Sequence, residues 1–179
     1  MPDSSISHIR TQVRLLIDDT DASCYAYTDD QIDTALNQRR DEARYYPLTE
    51  RETISAGGGT TTYLTFDAPV GWWENDAQIV NSSYNVLTPA TSDWTNGRWT
   101  FSTEPKMPVM ITGFTYDVYG TAGDLLLTRA TQQSDSFDVS ADGLSVSRNQ
   151  KQDNLKERAY EMLAKARTKS IHLVRTDEQ

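Results

Sequence analysis

Helical hydrophobic periodicity marks both ends of this chain and disappears between residues 50 and 115. In that interval Thr, Tyr, Trp, Val and Gly dominate, and apolar residues alternate with polar ones in runs at 62–66, 77–80, 85–87, 98–101 and 109–112. Period-two runs broken by Gly, Pro, Asn and Asp read as short strands. Asn96-Gly97, between Trp94 and Trp99, is a hairpin turn signal. Gly57-Gly58-Gly59 reads as a flexible hairpin loop, because no Gly-Lys-Ser/Thr follows to make it a phosphate loop. The segment therefore predicts a small antiparallel sheet or barrel of about five strands.

The flanks predict helices. Ile6, Ile9, Val13, Leu16 and Ile17 recur at helical spacing over residues 5–18, and the run Asp18-Asp-Thr-Asp-Ala-Ser23 ends that pattern. Thr28-Asp-Asp-Gln31 has the form of a capping box opening a second helix, with Ile32, Ala35, Leu36 and Ala43 on one face and Pro47 as its end. A third helix is predicted over 116–133, where Gly120 and Gly123 each cost roughly 1 kcal/mol relative to Ala. Close approach of another backbone is a reason to carry that cost. A fourth helix is predicted over 148–170, opened by a second capping box, Ser147-Arg-Asn-Gln150, and facing inward through Leu155, Ala159, Met162, Leu163 and Ala166. The fold class is thus α+β: a small bundle of about four helices carrying an inserted sheet. A β-hairpin precedes the last helix. Helical core falls at 1–49 and 114–175 with the hairpin at 136–147, the β subdomain at 50–113, and a tail at 176–179.

Net charge is −9, unevenly spread. Residues 1–147 hold 9 Lys/Arg and 21 Asp/Glu, whereas 148–175 hold 8 Lys/Arg and 3 acids. An acidic body with a basic last helix faces two kinds of partner. Such a body argues against DNA binding as the main task, since that rests on phosphate neutralisation. The single cysteine, Cys24, excludes an internal disulfide and suits a reducing cytoplasm, where it reads as a passive thiol. No secretory leader and no membrane-spanning run are expected from the sequence.

Catalytic patterns are missing at the level of sequence. His8 and His172 lie at opposite ends with no metal-ligand spacing around them, and no nucleophile–base pattern stands out. The chain is read as a non-enzyme with no cofactor. Residues 138–143, Asp-Val-Ser-Ala-Asp-Gly, match the first half of a calcium loop, but Ser145 and Asn149 replace the apolar residue and the bidentate Glu that such a loop needs. Phe137, Val139, Leu144 and Val146 instead alternate as a hairpin, closed by a turn at Ser140–Gly143. A two-stranded hairpin is marginal alone, so these four residues are expected to pack on their own bundle or on a neighbouring subunit. Trp72, Trp73, Trp94 and Trp99 either fill the sheet core or form an aromatic surface; Trp72 and Trp73, adjacent and pointing to opposite faces, are the pair in which one ring is expected outside.

The stretch Leu16-Ile-Asp-Asp-Thr-Asp21, followed by Tyr27-Thr-Asp-Asp-Gln-Ile32, resembles the N-terminus of head–tail connector proteins of tailed bacteriophages, also called adaptor, head-completion or neck proteins. Tyr116-Asp-Val-Tyr-Gly-Thr-Ala-Gly-Asp-Leu-Leu-Leu127, Phe137–Gly143 and Ser147-Arg-Asn-Gln-Lys151 resemble the C-terminal half of the same family. The resemblance covers roughly 5–48 and 114–170; residues 50–113 match least. It implies a virion protein made in the host cytoplasm and placed at the head–tail junction. There it would form a ring, usually dodecameric, beneath the portal protein, extend the DNA channel and present a surface to the next neck or tail component. DNA would pass an acidic wall without specific binding. Lys156, Lys165, Arg167, Lys169 and Arg175 would dock on the portal, and Phe137, Val139, Leu144 and Val146 would lie between subunits. The alternative is a stand-alone module that binds a glycan or protein through its Trp-bearing sheet; a hydrolase with paired carboxylates is a third reading.

Overall fold

The computed structural model describes residues 4–54, 61–134 and 148–167. Helix α1 (Ser7–Leu16) buries Ile6, Ile9, Val13 and Ile17, one stripe at three- and four-residue spacing. It ends where Asp18 takes a φ of 57°. Helix α2 (Asp29–Gln38) opens on the predicted capping box: Thr28 Oγ1 accepts from the Gln31 amide at 3.3 Å, and Gln31 Oε1 accepts from the Thr28 amide at 2.8 Å.

The second helix stops at Gln38, well short of Pro47. The next two positions of its apolar stripe, three and four residues after Leu36, are Arg39 and Arg40. The chain becomes strand β1 (Arg40–Pro47) instead, so Ala43 sits in a sheet and not on a helix face. Eight strands follow one antiparallel scheme: β1, β2 (Thr49–Ile54), β3 (Thr61–Asp67), β4 (Gln78–Val80), β5 (Val86–Leu87), β6 (Thr91–Asp93), β7 (Arg98–Thr100) and β8 (Met110–Tyr116). They form two four-stranded sheets, ordered β1-β8-β4-β5 and β2-β3-β7-β6. The β6–β7 hairpin turns at Asn96-Gly97 as expected, with Gly97 at a φ of 69°. Strands β1, β2 and β6 were not in the sequence expectation of about five, and pairing of Arg40 with Tyr116 carries the sheet beyond 50–113 at both ends.

The chain crosses between sheets at Leu48, whose amide donates to the Val109 carbonyl at 2.9 Å. Leu48, Phe66, Trp73, Ile79, Trp99, Phe101, Val109 and Ile111 fill the space between them. Helices α3 (Val118–Ser134) and α4 (Arg148–Ala164) pack along one another. A Cβ on Gly123 would stand 2.7 Å from Leu163 Cγ and 3.1 Å from the Ala159 carbonyl, so α4 approaches α3 closely at this glycine. Tyr27, Ile32, Leu36, Val118, Ala122, Leu125, Leu126 and Ala159 join the α1 stripe in a second core. Tyr116 belongs to it too, which places the end of β8 at the seam of the two cores.

Candidate functional site

The acidic turn between α1 and α2 is organised by two buried arginines. Arg14 donates to Asp19 Oδ2 at 2.8 Å, to Asp29 Oδ1 at 2.6 Å and to the Tyr27 carbonyl at 3.0 Å, and its guanidinium lies 3.7 Å from the Tyr25 ring centre. Asp19 also accepts from the amides of Ala26 and Tyr27. Arg10 forms a two-pronged pair with Asp33, both bonds 2.7 Å. The Tyr27 hydroxyl reaches α3, donating to the Leu125 carbonyl at 2.7 Å, and burial raises its pKa above the ordinary tyrosine range. The residues that carry the N-terminal family resemblance therefore tie α1, α2 and α3 together. Asp18, Asp21 and Asp30 stay outward or local; Asp21 caps the Ser23 and Cys24 turn, and those hydrogen bonds, from Ser23 first, lower its pKa.

A cleft of about 360 Å³ opens at the seam, lined by Gln38, Arg39, Asp41, Asp117, Asp124 and Arg167. Asp117 caps α3, accepting from the Gly120 amide at 3.0 Å. Arg39 pairs with Asp124 at 2.5 and 2.9 Å and with Asp117 at 3.2 Å, and the Asp124 bond raises the guanidinium pKa. Of the carboxylates here, Asp124 accepts from Arg39, and Asp117 from Arg39 and the Gly120 amide. Arg167 donates to the Gly71 carbonyl at 2.6 Å and to Thr115 Oγ1 at 3.0 Å. Burial lowers its pKa. Its two named acceptors are neutral atoms of its own chain, so Arg167 is removed from the set of free docking cations.

A second cleft, about 220 Å³, lies between α1, α3 and α4 and is lined by Ile17, Asp18, Arg129, Lys151, Asn154, Leu155 and Arg158. Among the described residues Arg129, Lys151 and Arg158 form no ion pair with a carboxylate; Arg158 donates only to the Leu16 carbonyl at 3.2 Å. By contrast Arg10, Arg14, Arg39, Arg44, Arg51 and Arg98 each have a carboxylate partner. In an acid-rich body, cations left without acids are the ones available to an outside anion. Arg129 was not singled out in sequence, because one cation in α3 carries no pattern until α4 brings Lys151 and Arg158 beside it. Lys156 is half-buried and Lys165 exposed, both on or just past α4, while Lys169 and Arg175 lie outside the described residues.

The tryptophans face inward. Trp73 is 1% exposed, its indole N–H donating to the Val70 carbonyl at 2.7 Å, and it meets Trp99 edge to face. Trp72, with a φ of 62°, is half-buried against the helical core. The pair does point to opposite sides, but each side is a core, so Trp72 and Trp73 are not an outward partner surface. The expected hairpin residues Phe137, Val139, Leu144 and Val146, the calcium-like run and the Ser147 cap lie outside the described residues. Among the described residues no group of three or more His, Cys, Asp or Glu converges to hold a metal ion, and no helix is long and apolar enough to cross a membrane. Comparison with family models, curated proteins and solved structures finds no match to the chain.

Proposed function

We propose that the chain is a structural virion protein, a head–tail connector that assembles as a ring beneath a phage portal and continues its DNA channel toward the neck or tail. The observation that carries the reading is the cleft in which Arg129, Lys151 and Arg158 form no ion pair among the described residues, on a chain whose net charge is −9. That division gives one docking face for an acidic partner surface and leaves the rest repellent to nucleic acid. Further support comes from the N-terminal motif. Its Asp19, Tyr27 and Asp29 fix the mutual placement of α1, α2 and α3, and its Gln31 caps α2, so the resemblance rests on residues that build the bundle. Partners on this reading are further copies of the chain, the portal and a neck component, with no cofactor and no catalysis.

The test is binding to a purified portal ring, read by electron microscopy and by co-sedimentation across a salt series. The expected result is a ring seated on the portal whose affinity falls with salt and is lost in the Arg129→Glu/Arg158→Glu double variant. Binding that is absent at low salt, or unchanged by that variant, contradicts the reading.

A further inference from the structure

The cleft between α1, α3 and α4 is lined by three cations and one acid, Asp18, in a chain of net charge −9. Arg129 comes from α3, and Lys151 and Arg158 come from α4. Among the described residues none of the three lies within ion-pair distance of a carboxylate. Arg158 donates to the Leu16 carbonyl at 3.2 Å, which ties α4 to the end of α1 and holds that guanidinium in the wall of the cleft.

The lining is not purely polar. Ile17 is 1% exposed and belongs to the helical core, and Leu155 packs against that core from α4. Asn154 stands exposed beside them, and its amide both donates and accepts. A purely apolar ligand would cover these cations without a counter-charge, which costs energy. A purely ionic one would leave Ile17 and Leu155 without a partner. The lining selects a ligand that is acidic and apolar at once.

Size and charge narrow the occupant. At about 220 Å³ the cleft is smaller than the roughly 300–1,000 Å³ of sites that enclose a drug-sized molecule, so it admits side chains of a segment rather than a whole ligand. Nucleic acid would bring phosphates to the cations but no aliphatic group to Ile17 and Leu155. It would also meet Asp18 and the acid-rich remainder with like charge. A peptide carries carboxylates and an aliphatic side chain on one short stretch, with backbone amides and carbonyls for Asn154.

We propose that this cleft takes a short peptide segment of a partner, in which carboxylates flank one aliphatic side chain. The aliphatic group seats against Ile17 and Leu155, and the carboxylates pair with Arg129, Lys151 and Arg158. This names the chemistry of the docking element and rests on reading the cleft as the docking face.

The test is isothermal titration calorimetry of the full chain with the acetylated, amidated peptide Asp-Glu-Leu-Glu-Asp over a salt series. The comparators are the same peptide with Ala for Leu, its Asn/Gln counterpart, and an oligothymidylate of equal charge. The parent peptide binds, with an affinity that falls as salt rises. The Ala peptide binds about tenfold more weakly, because it forfeits burial of the aliphatic side chain. The Asn/Gln peptide and the oligothymidylate give no saturable heat. Arg129→Ala/Lys151→Ala weakens binding at least about tenfold, while its thermal midpoint stays near that of wild type, since neither side chain loses a carboxylate partner among the described residues. No saturable heat from the parent peptide at low salt overturns the proposal. So does an Ala peptide or a double variant that binds as the parent does, or an oligothymidylate that binds as tightly. Peptide binding that appears only after Asp135, Asp138 and Asp142 are changed to Asn overturns it in favour of the chain's own segment as occupant. A chain that takes the peptide but ignores the portal rejects the connector reading alone; one that seats on the portal but ignores the peptide rejects this proposal alone.

Discussion

Replacing Asp33 with Ala removes the two-bond partner of the Arg10 guanidinium. Both side chains of the pair are 10% exposed and meet through two bonds of 2.7 Å. Removing one partner of a buried ion pair costs about 3–5 kcal/mol, because the remaining charge has lost both water and its counter-ion. Arg10 keeps Asp29 at 3.6 Å, a carboxylate 40% exposed, which places Asp33→Ala toward the lower end, about 3 kcal/mol. For a chain of this size that is a fall of about 6–12 °C in Tm. The assay is urea and thermal unfolding followed by circular dichroism, run as a double-mutant cycle with Arg10→Met. The double variant Arg10→Met/Asp33→Leu removes both charges and keeps volume, so it should unfold near wild type or above it. An Asp33→Ala variant within about 1 kcal/mol of wild type would place the pair with ordinary surface bridges and refute the reasoning. A double variant no better than the sum of the single ones would do the same.

Burial lowers the pKa of His8 below 6.5, against the opposing effect of its bond to the Trp73 carbonyl at 3.0 Å. The native state therefore binds this proton less readily than the unfolded chain; its contribution is complete above 6.5 and is lost as pH falls below that value. The urea midpoint of His8→Gln should accordingly fall less steeply than that of wild type across this window. Gly123→Leu forces α4 away from α3 and should cost about 1–3 kcal/mol or more in unfolding titrations; a neutral result would mean that the helices are not held at this distance. Arg167→Ala removes two hydrogen bonds at the seam but leaves the Thr115 hydroxyl donating to the Gly71 carbonyl at 2.6 Å, so it should cost about 1 kcal/mol per bond lost, with amide exchange at residues 71 and 115 as the local readout.

What could be read from the sequence followed from how each element is stabilised. The α1 stripe and the Thr28–Gln31 box are local signals, and the structure has both. Five strands were visible because they alternate; β1, β2 and β6 were not, because β1 is largely exposed with the charged run Arg40–Glu42, and β6 is exposed along its length. Strand β1 owes its existence to a partner far along the chain, β8, and β6 to pairing across the Asn96-Gly97 turn with β7. Sequence read Ala43 as a helix face because apolar spacing continued past Leu36, and the two arginines between them were the contrary signal. The basic charge on the last helix was legible, whereas its use was not: Arg167 turns inward, and Arg129 joins Lys151 and Arg158 only through packing.

Arg167 also has a mechanical meaning. It is bolted to Gly71 and Thr115, where the sheet core meets the helical core. A pull on the chain beyond this residue therefore loads the two hydrogen bonds at the seam before it reaches the contact of α4 with α3. Tension on the chain at this point is shared between both halves of the molecule, as from a rivet set through two plates.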